Sequence, residues 1–105
     1  MKFLSFTTYN IDKLDEIVKA ADKLAANPPE GYKILAMYSC QSDPFPGVEL
    51  PPGTMVTASI IECESAEAMA SAAFEMTLAG ASVNRIPVME IATGEAEGTV
   101  EKLKV

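Results

Sequence analysis

The segment Thr54–Met69, TMVTASIIECESAEAM, constrains the fold most, because it predicts a strand that runs directly into a helix. Residues 56–63 are mostly apolar or β-branched, and Ser65 is a good N-cap for the helical spacing that follows. A strand that is apolar on both faces needs neighbours on both sides and cover above and below. We therefore expect this strand at the centre of a sheet.

The rest of the chain supplies partners for this central strand. Alternating residues, helical spacing and Pro/Gly breaks define the elements. They are a strand at 2–9, a helix from Ile11 to about Ala26 capped by Asn10, a strand at 32–41, the central strand at 54–63, a helix from Ala66 towards Gly80, a strand at 84–93 and a short helix at 95–103. Pro87 favours an edge position or a bulge in the last strand, since proline cannot donate to a ladder.

The order βαββαβ with a short C-terminal helix predicts an α+β, ferredoxin-like domain covering residues 1–105. Its four antiparallel strands would take the order 4-1-3-2, with both long helices on one face. The other face would be bare, with Tyr9, Tyr38 or Met37, Met55 and Met89 contributing to it. Monomers seldom expose so large an apolar face, so we expect a homodimer whose two sheets face each other.

A proline-rich hairpin loop is predicted at 43–53, which holds four of the seven prolines in the chain. Eleven residues make a long hairpin connection. Phe45, Val48 and Leu50 are apolar, so the loop either folds back on the domain or contacts another chain.

The charge balance limits the partners of this chain. It has 105 residues, a net charge of −7 and no histidine. An acidic surface repels nucleic acid and anionic membranes, and no apolar run is long enough to span a membrane. The N-terminal residues read as a strand and not as a signal peptide, so a cytoplasmic location is expected.

Arg85 is the single arginine and the main candidate for ligand binding. Strand direction places it near Tyr9, Tyr38 and Thr57, whose hydroxyl groups could join it in holding a carboxylate or phosphate. A surface or interface salt bridge is the more common use of such an arginine. The sequence alone does not decide between ligand binding and a salt bridge.

Glu62 and Glu90 are the candidates for catalysis, because a carboxylate in an apolar cavity has a raised pKa and can act as a base. The more common alternatives are solvent-facing strand ends or pairing with Lys2. Without histidine we expect no metal site and no cofactor. Cys40 and Cys63 are expected to be too far apart in the sheet for an intrachain disulfide.

Four segments, MKFL, PPEGYKIL, IIECESAEAM and IPVMEI, together resemble a small, mostly uncharacterised prokaryotic family of about this length. That family is related to the dimeric α+β-barrel group of ferredoxin-like proteins. The resemblance implies a homodimeric barrel. Wider relatives include cofactor-free oxygenases, isomerases and haem-degrading enzymes, although the lack of histidine argues against His-ligated haem.

Three functions follow as hypotheses. The first is a homodimeric barrel that binds a small apolar or weakly anionic ligand between its sheets. The second is a cofactor-free oxygenase or isomerase with Glu62 or Glu90 as base. The third is a protein-interaction subunit that docks through the 43–53 loop.

Overall fold

A computed structural model describes residues 1–104, apart from the side chain of Leu103. Within these residues four strands and three α-helices follow one another: β1 Lys2–Asn10, α1 Leu14–Ala26, β2 Tyr32–Ser39, β3 Thr54–Cys63, α2 Ala66–Leu78, β4 Ser82–Val88 and α3 Ala96–Leu103. A short 3-10 helix, Ile11–Lys13, precedes α1, so the helix expected from Ile11 opens with a tighter turn.

The strands form one antiparallel sheet in the order β2-β3-β1-β4, which is the predicted order read from the other edge. β3 lies inside the sheet, as its sequence predicts. It pairs with β1 from Lys2 opposite Glu62 to Asn10 opposite Thr54. β4, with Pro87, is an edge strand. The α+β class, the strand order and the central position of β3 are therefore confirmed.

The two faces of β3 have different surroundings. Ile61 and Cys63 are 2% and 3% exposed and pack beneath the helices. The alternate residues, including Ile60 and Glu62, point to the opposite side of the sheet, which we call the open face. The residues that share the open face are Lys2, Leu4, Phe6 and Thr8 of β1, Lys33, Ala36 and Tyr38 of β2, Val56 and Ala58 of β3, and Ser82, Asn84, Ile86 and Val88 of β4.

Two apolar clusters hold the helices on the sheet. One joins α1 and α2 to β2 and β3 through Leu24, Tyr32, Ile61, Cys63, Ala68 and Ala72. The other joins them to β1 through Tyr9, Ile17, Met76 and Ala81. Tyr9 and Met55, which we expected on the bare face, lie on this helix side. Successive residues of a strand point to opposite faces of the sheet, and only one of the two sets contacts the helices. The expectation placed Tyr9 and Met55 in the wrong set.

The predicted caps are present at the starts of both helical segments. The Ser65 hydroxyl oxygen accepts a hydrogen bond from the Ala68 amide at 3.1 Å. The Asn10 side-chain oxygen accepts from the Asp12 amide, also at 3.1 Å. Each cap pairs one amide that the first helical turn would leave without an acceptor.

β4 begins and ends earlier than predicted, at Ser82 and Val88 instead of residues 84 and 93. Val88 pairs with Lys2, the first residue of β1, so the neighbouring strand ends there. Beyond Val88 the chain has no strand to pair with. β2 likewise stops at Ser39, although the Cys40 amide still donates to the Val56 carbonyl at 2.9 Å.

The 43–53 loop folds back onto the open face. The Phe45 ring meets the Phe6 ring edge to face, with centroids 5.2 Å apart and planes at 69°. Val56 is buried although it lies on the open face. Val48, by contrast, stays 54% exposed at the tip of the loop. Of the two arrangements expected for the loop, the structure contains the contact with its own domain.

Candidate functional site

The four residues expected to bind a ligand do not meet in one place. Tyr9 and Thr57 lie on the helix side near one end of the sheet, and Tyr9 is buried in the core. Arg85 is also on the helix side, opposite Ser5 in the middle of β1. Tyr38 lies on the open face and is 63% exposed. A ligand held by Arg85 on the helix side is therefore separated from Tyr38 by the sheet.

Arg85 was expected near the end of the sheet that holds Tyr9, and its side chain instead reaches towards Tyr32. The Arg85 Cζ atom lies 6.0 Å from the centre of the Tyr32 ring. Tyr32 pairs with Cys63 at the opposite end of β3 from Thr54. The difference arises because β4 begins at Ser82, which places Arg85 further into the sheet than a strand starting at residue 84 would.

Glu62 and Glu90 both form ion pairs at the surface. Glu62 lies 3.7 Å from the N-terminal amino group, and Glu90 lies 3.5 Å from the Lys2 ammonium. Their side chains are 43% and 74% exposed. These surroundings are those of exposed ion pairs, including the pairing with Lys2 that the sequence left open.

The larger apolar concavity is a groove of about 740 Å³ on the helix side of the sheet, which we call the α2 groove. One wall is α2 with its Ser65 cap, and the floor comes from β1, β3 and β4. The residues that line it are Met1, Phe3, Cys63, Glu64, Ser65, Ala66, Met69, Ala70, Ala73 and Arg85. Most of these side chains are apolar, and the charged side chains among them are Glu64 and Arg85.

Three alanines shape the helical wall of the α2 groove. Ala66, Ala70 and Ala73 are spaced by four and three residues, so they lie on one side of α2. Their small side chains leave a shallow channel between the helix and the sheet. The spacing of these alanines is visible in the sequence, but it is equally typical of a helix that packs closely on a neighbour.

Arg85 has few partners in the groove. Its Nη1 group donates to the Met69 carbonyl oxygen at 3.3 Å. Its Nε group is buried and has no hydrogen-bond acceptor. Among the ion pairs of residues 1–104, none includes Arg85. A charged donor that is shielded from water and unpaired is costly, so this guanidinium is suited to an added acceptor.

Tyr32 lies in the core and contacts the Arg85 guanidinium. Burial raises the pKa of the Tyr32 hydroxyl, and the positive charge of Arg85 opposes part of that increase. The phenol is therefore neutral at physiological pH, and Tyr32 supports Arg85 through its ring face without neutralising its charge.

A second cavity, of about 450 Å³, lies between the 43–53 loop and the adjoining ends of β2 and β3. Asp43 and Glu49 make it acidic, and Cys40 lies at its edge. One Asp43 carboxylate oxygen already accepts from the Phe45 amide at 2.8 Å, within the loop itself. This cavity contains no buried polar atom that lacks a partner, unlike the α2 groove.

Neither cysteine forms a disulfide in the structure, and the Cys63 thiol donates to the Ser65 carbonyl oxygen at 3.2 Å. Residues 1–104 contain no group of three His, Cys, Asp or Glu side chains placed to hold a metal. None of the described helices has the length and apolar character to cross a membrane.

Comparison with known proteins adds no functional assignment. No protein-family model matches the sequence, and no curated protein is significantly similar to it. The resemblance to dimeric α+β barrels therefore stays a prediction.

Proposed function

We propose that this protein is a small-molecule-binding domain that holds a mainly apolar ligand in the α2 groove. The observation that carries the proposal is the groove itself, with a volume of about 740 Å³ and walls formed mostly by alanine, methionine and phenylalanine. Ligand sites are typically apolar clefts of about 300–1,000 Å³ with a few polar groups that orient the ligand. Met1 and Met69 are adaptable, since methionine side chains are unbranched and flexible.

This proposal moves the expected ligand from the space between two sheets to the helix side of one sheet. Arg85 lies on that side, and so do Tyr9 and Thr57. An enzymatic role for Glu62 or Glu90 has less support, because each carboxylate is exposed and paired with a cation.

Titration with the neutral fluorescent probe N-phenyl-1-naphthylamine tests the proposal. We expect saturable fluorescence enhancement in the wild-type protein and its loss in Ala70→Phe, which fills the channel beside α2. Ala25→Phe is the matched control, since it places the same ring on an exposed position of α1. Equal probe binding by the Ala70→Phe variant and the wild-type protein, or no saturable binding by the wild type, would overturn the proposal.

A second proposal concerns the assembly of the chain. The strand order and the single layer of helices support a ferredoxin-like arrangement, and the open face supports a homodimer with its sheets face to face. Ile86 and Val88 are 45% and 37% exposed on that face, and Tyr38 lies on it as well. Sedimentation over a range of protein concentrations tests this proposal, and a monomer at every concentration would contradict it.

A further inference from the structure

We propose that the polar group of the ligand is a single carboxylate bound by Arg85, on a narrow apolar chain that lies along α2. This inference rests on the proposed function, because it assigns a chemical class to the ligand of the same groove. Three features carry it: the Nε group of Arg85 that lacks an acceptor, the charge of the groove and the alanine wall.

The guanidinium is oriented before any ligand arrives. The bond from Arg85 Nη1 to the Met69 carbonyl and the contact with the Tyr32 ring fix its position, and Nε is left without an acceptor. Arginine presents its donors in a planar fork that matches the two oxygens of a carboxylate. A carboxylate at the Nε edge would provide the missing acceptor.

Access to Nε requires a small rearrangement, because this atom is already hidden from solvent. Met1 and Met69 line the groove together with Arg85, and Met1 is 69% exposed. Such unbranched side chains change rotamer easily. The headgroup would therefore enter by displacing a flexible side chain, with the backbone of the sheet unchanged.

The charge of the groove favours one negative charge on the ligand. Arg85 supplies one positive charge, and Glu64 lines the groove at the start of α2. The amino end of α2, at Ser65 and Ala66, adds a partial positive charge. A monocarboxylate adds one negative charge beside Arg85, whereas a doubly charged phosphate adds two near Glu64 in a protein whose net charge is already −7.

The alanine wall provides the apolar surface on which the chain would lie. Ala66 and Ala73 are seven residues apart in α2, or about 10 Å along the helix axis at roughly 1.5 Å per residue. An extended alkyl chain gains about 1.25 Å per bond, so roughly eight carbons span this wall. Arg85 contacts the Met69 carbonyl between these two alanines, so a chain that starts at the guanidinium covers about half of the wall, or roughly four carbons, before it reaches the end.

Displacement of N-phenyl-1-naphthylamine by straight-chain ligands tests the inference. The series consists of carboxylates from butanoate to tetradecanoate, with 1-octanol and octylamine as neutral and cationic counterparts of octanoate. We expect displacement to strengthen from butanoate to octanoate as more of the chain is buried, and at least tenfold stronger displacement by octanoate than by 1-octanol. Arg85→Gln should weaken octanoate at least tenfold and leave 1-octanol unchanged.

Lys19→Gln is the matched control, because it removes one positive charge from an exposed position on α1. It should leave the preference for octanoate unchanged. Equal displacement by octanoate and 1-octanol in the wild-type protein would overturn the carboxylate assignment while probe binding still supported the groove as a site. This comparison needs no variant, so it holds even if Arg85→Gln fails to fold. If the wild-type protein did not bind the probe saturably, the proposed function itself would be overturned.

Discussion

Arg85 lines the α2 groove, and Tyr32 is the core residue that its guanidinium contacts. Tyr32 is buried in the core, and its ring faces the guanidinium across 6.0 Å. The ring gives the cation a favourable contact without an opposite charge. Arg85 therefore keeps its charge available to the groove, which a carboxylate neighbour in the core would have prevented.

Tyr32 should make the stability of the protein depend on pH in the alkaline range. Burial raises its pKa above the ordinary value of 10.0, so the folded state holds the phenolic proton more tightly than the unfolded chain. The contribution of Tyr32 is complete below that ordinary value and is lost as the pH rises through the folded-state pKa. We expect Tyr32→Phe, which has no proton to lose, to lose less of its free energy of unfolding than the wild type between about pH 9 and pH 11.

Urea unfolding at several pH values, followed by circular dichroism, measures this difference. The lysines titrate in the same range in both proteins, so the comparison isolates Tyr32. Parallel pH curves for the two proteins would show that Tyr32 does not titrate differently on folding.

Single residues also show how far the sequence alone can be interpreted. The caps at Asn10 and Ser65 were predictable, because capping depends on a residue type and the local backbone. The surroundings of Arg85 were not predictable. They depend on the starting residue of β4, and boundaries are the least reliable part of a sequence-based prediction.

At the scale of elements, the order and pairing of the strands could be predicted from the sequence pattern. The sequence did not show which side of β3 packs against the helices. Both phases of β3 contain apolar residues, for example Val56 and Ile60 on one side and Ile61 on the other. The contacts with α1 and α2 decide which phase is inside, through Leu24 and Ala72. Such contacts join residues far apart in the chain, so no local pattern reveals them.

The 43–53 loop is the element whose attachment can be tested most directly. Phe45→Ala removes the ring that packs on Phe6, and Val48→Ala removes a side chain from the exposed part of the same loop. We expect Phe45→Ala to lower the free energy of unfolding by about 1–2 kcal/mol, since a half-buried aromatic contact is lost. Val48→Ala should change it by less than about 0.5 kcal/mol.

Chemical denaturation of the two variants and the wild type measures these effects. The two substitutions share a loop and differ in burial, so their difference reports on the contact with the sheet. Equal effects of both substitutions would mean that the loop is not held to the open face in solution. The loop would then be free to contact another chain, as the interaction hypothesis requires.

At the scale of the whole molecule, α1 and α2 form a layer that covers one side of the sheet. The chain measures 46 × 36 × 21 Å, and the short dimension corresponds to one sheet and one helix layer. The loop at Phe45 covers one part of the open face, next to Phe6 and Val56. Tyr38 on β2 and Ile86 on β4 stay exposed at the two edges of this face, which a second copy would cover.

Substitution of Ile86 by lysine tests whether the open face is a dimer interface. Ile86 is 45% exposed on the open face, and Val18 is 48% exposed on α1. Ile86→Lys and the control Val18→Lys therefore place the same charge at similarly exposed sites on different surfaces. If two sheets meet face to face, Ile86→Lys buries an unpaired ammonium, and we expect the dimer dissociation constant to rise at least tenfold, or about 1.4 kcal/mol. Val18→Lys should leave the constant unchanged. Sedimentation equilibrium of both variants and the wild type measures it, and an equal effect of the two substitutions would place any dimer interface elsewhere on the molecule.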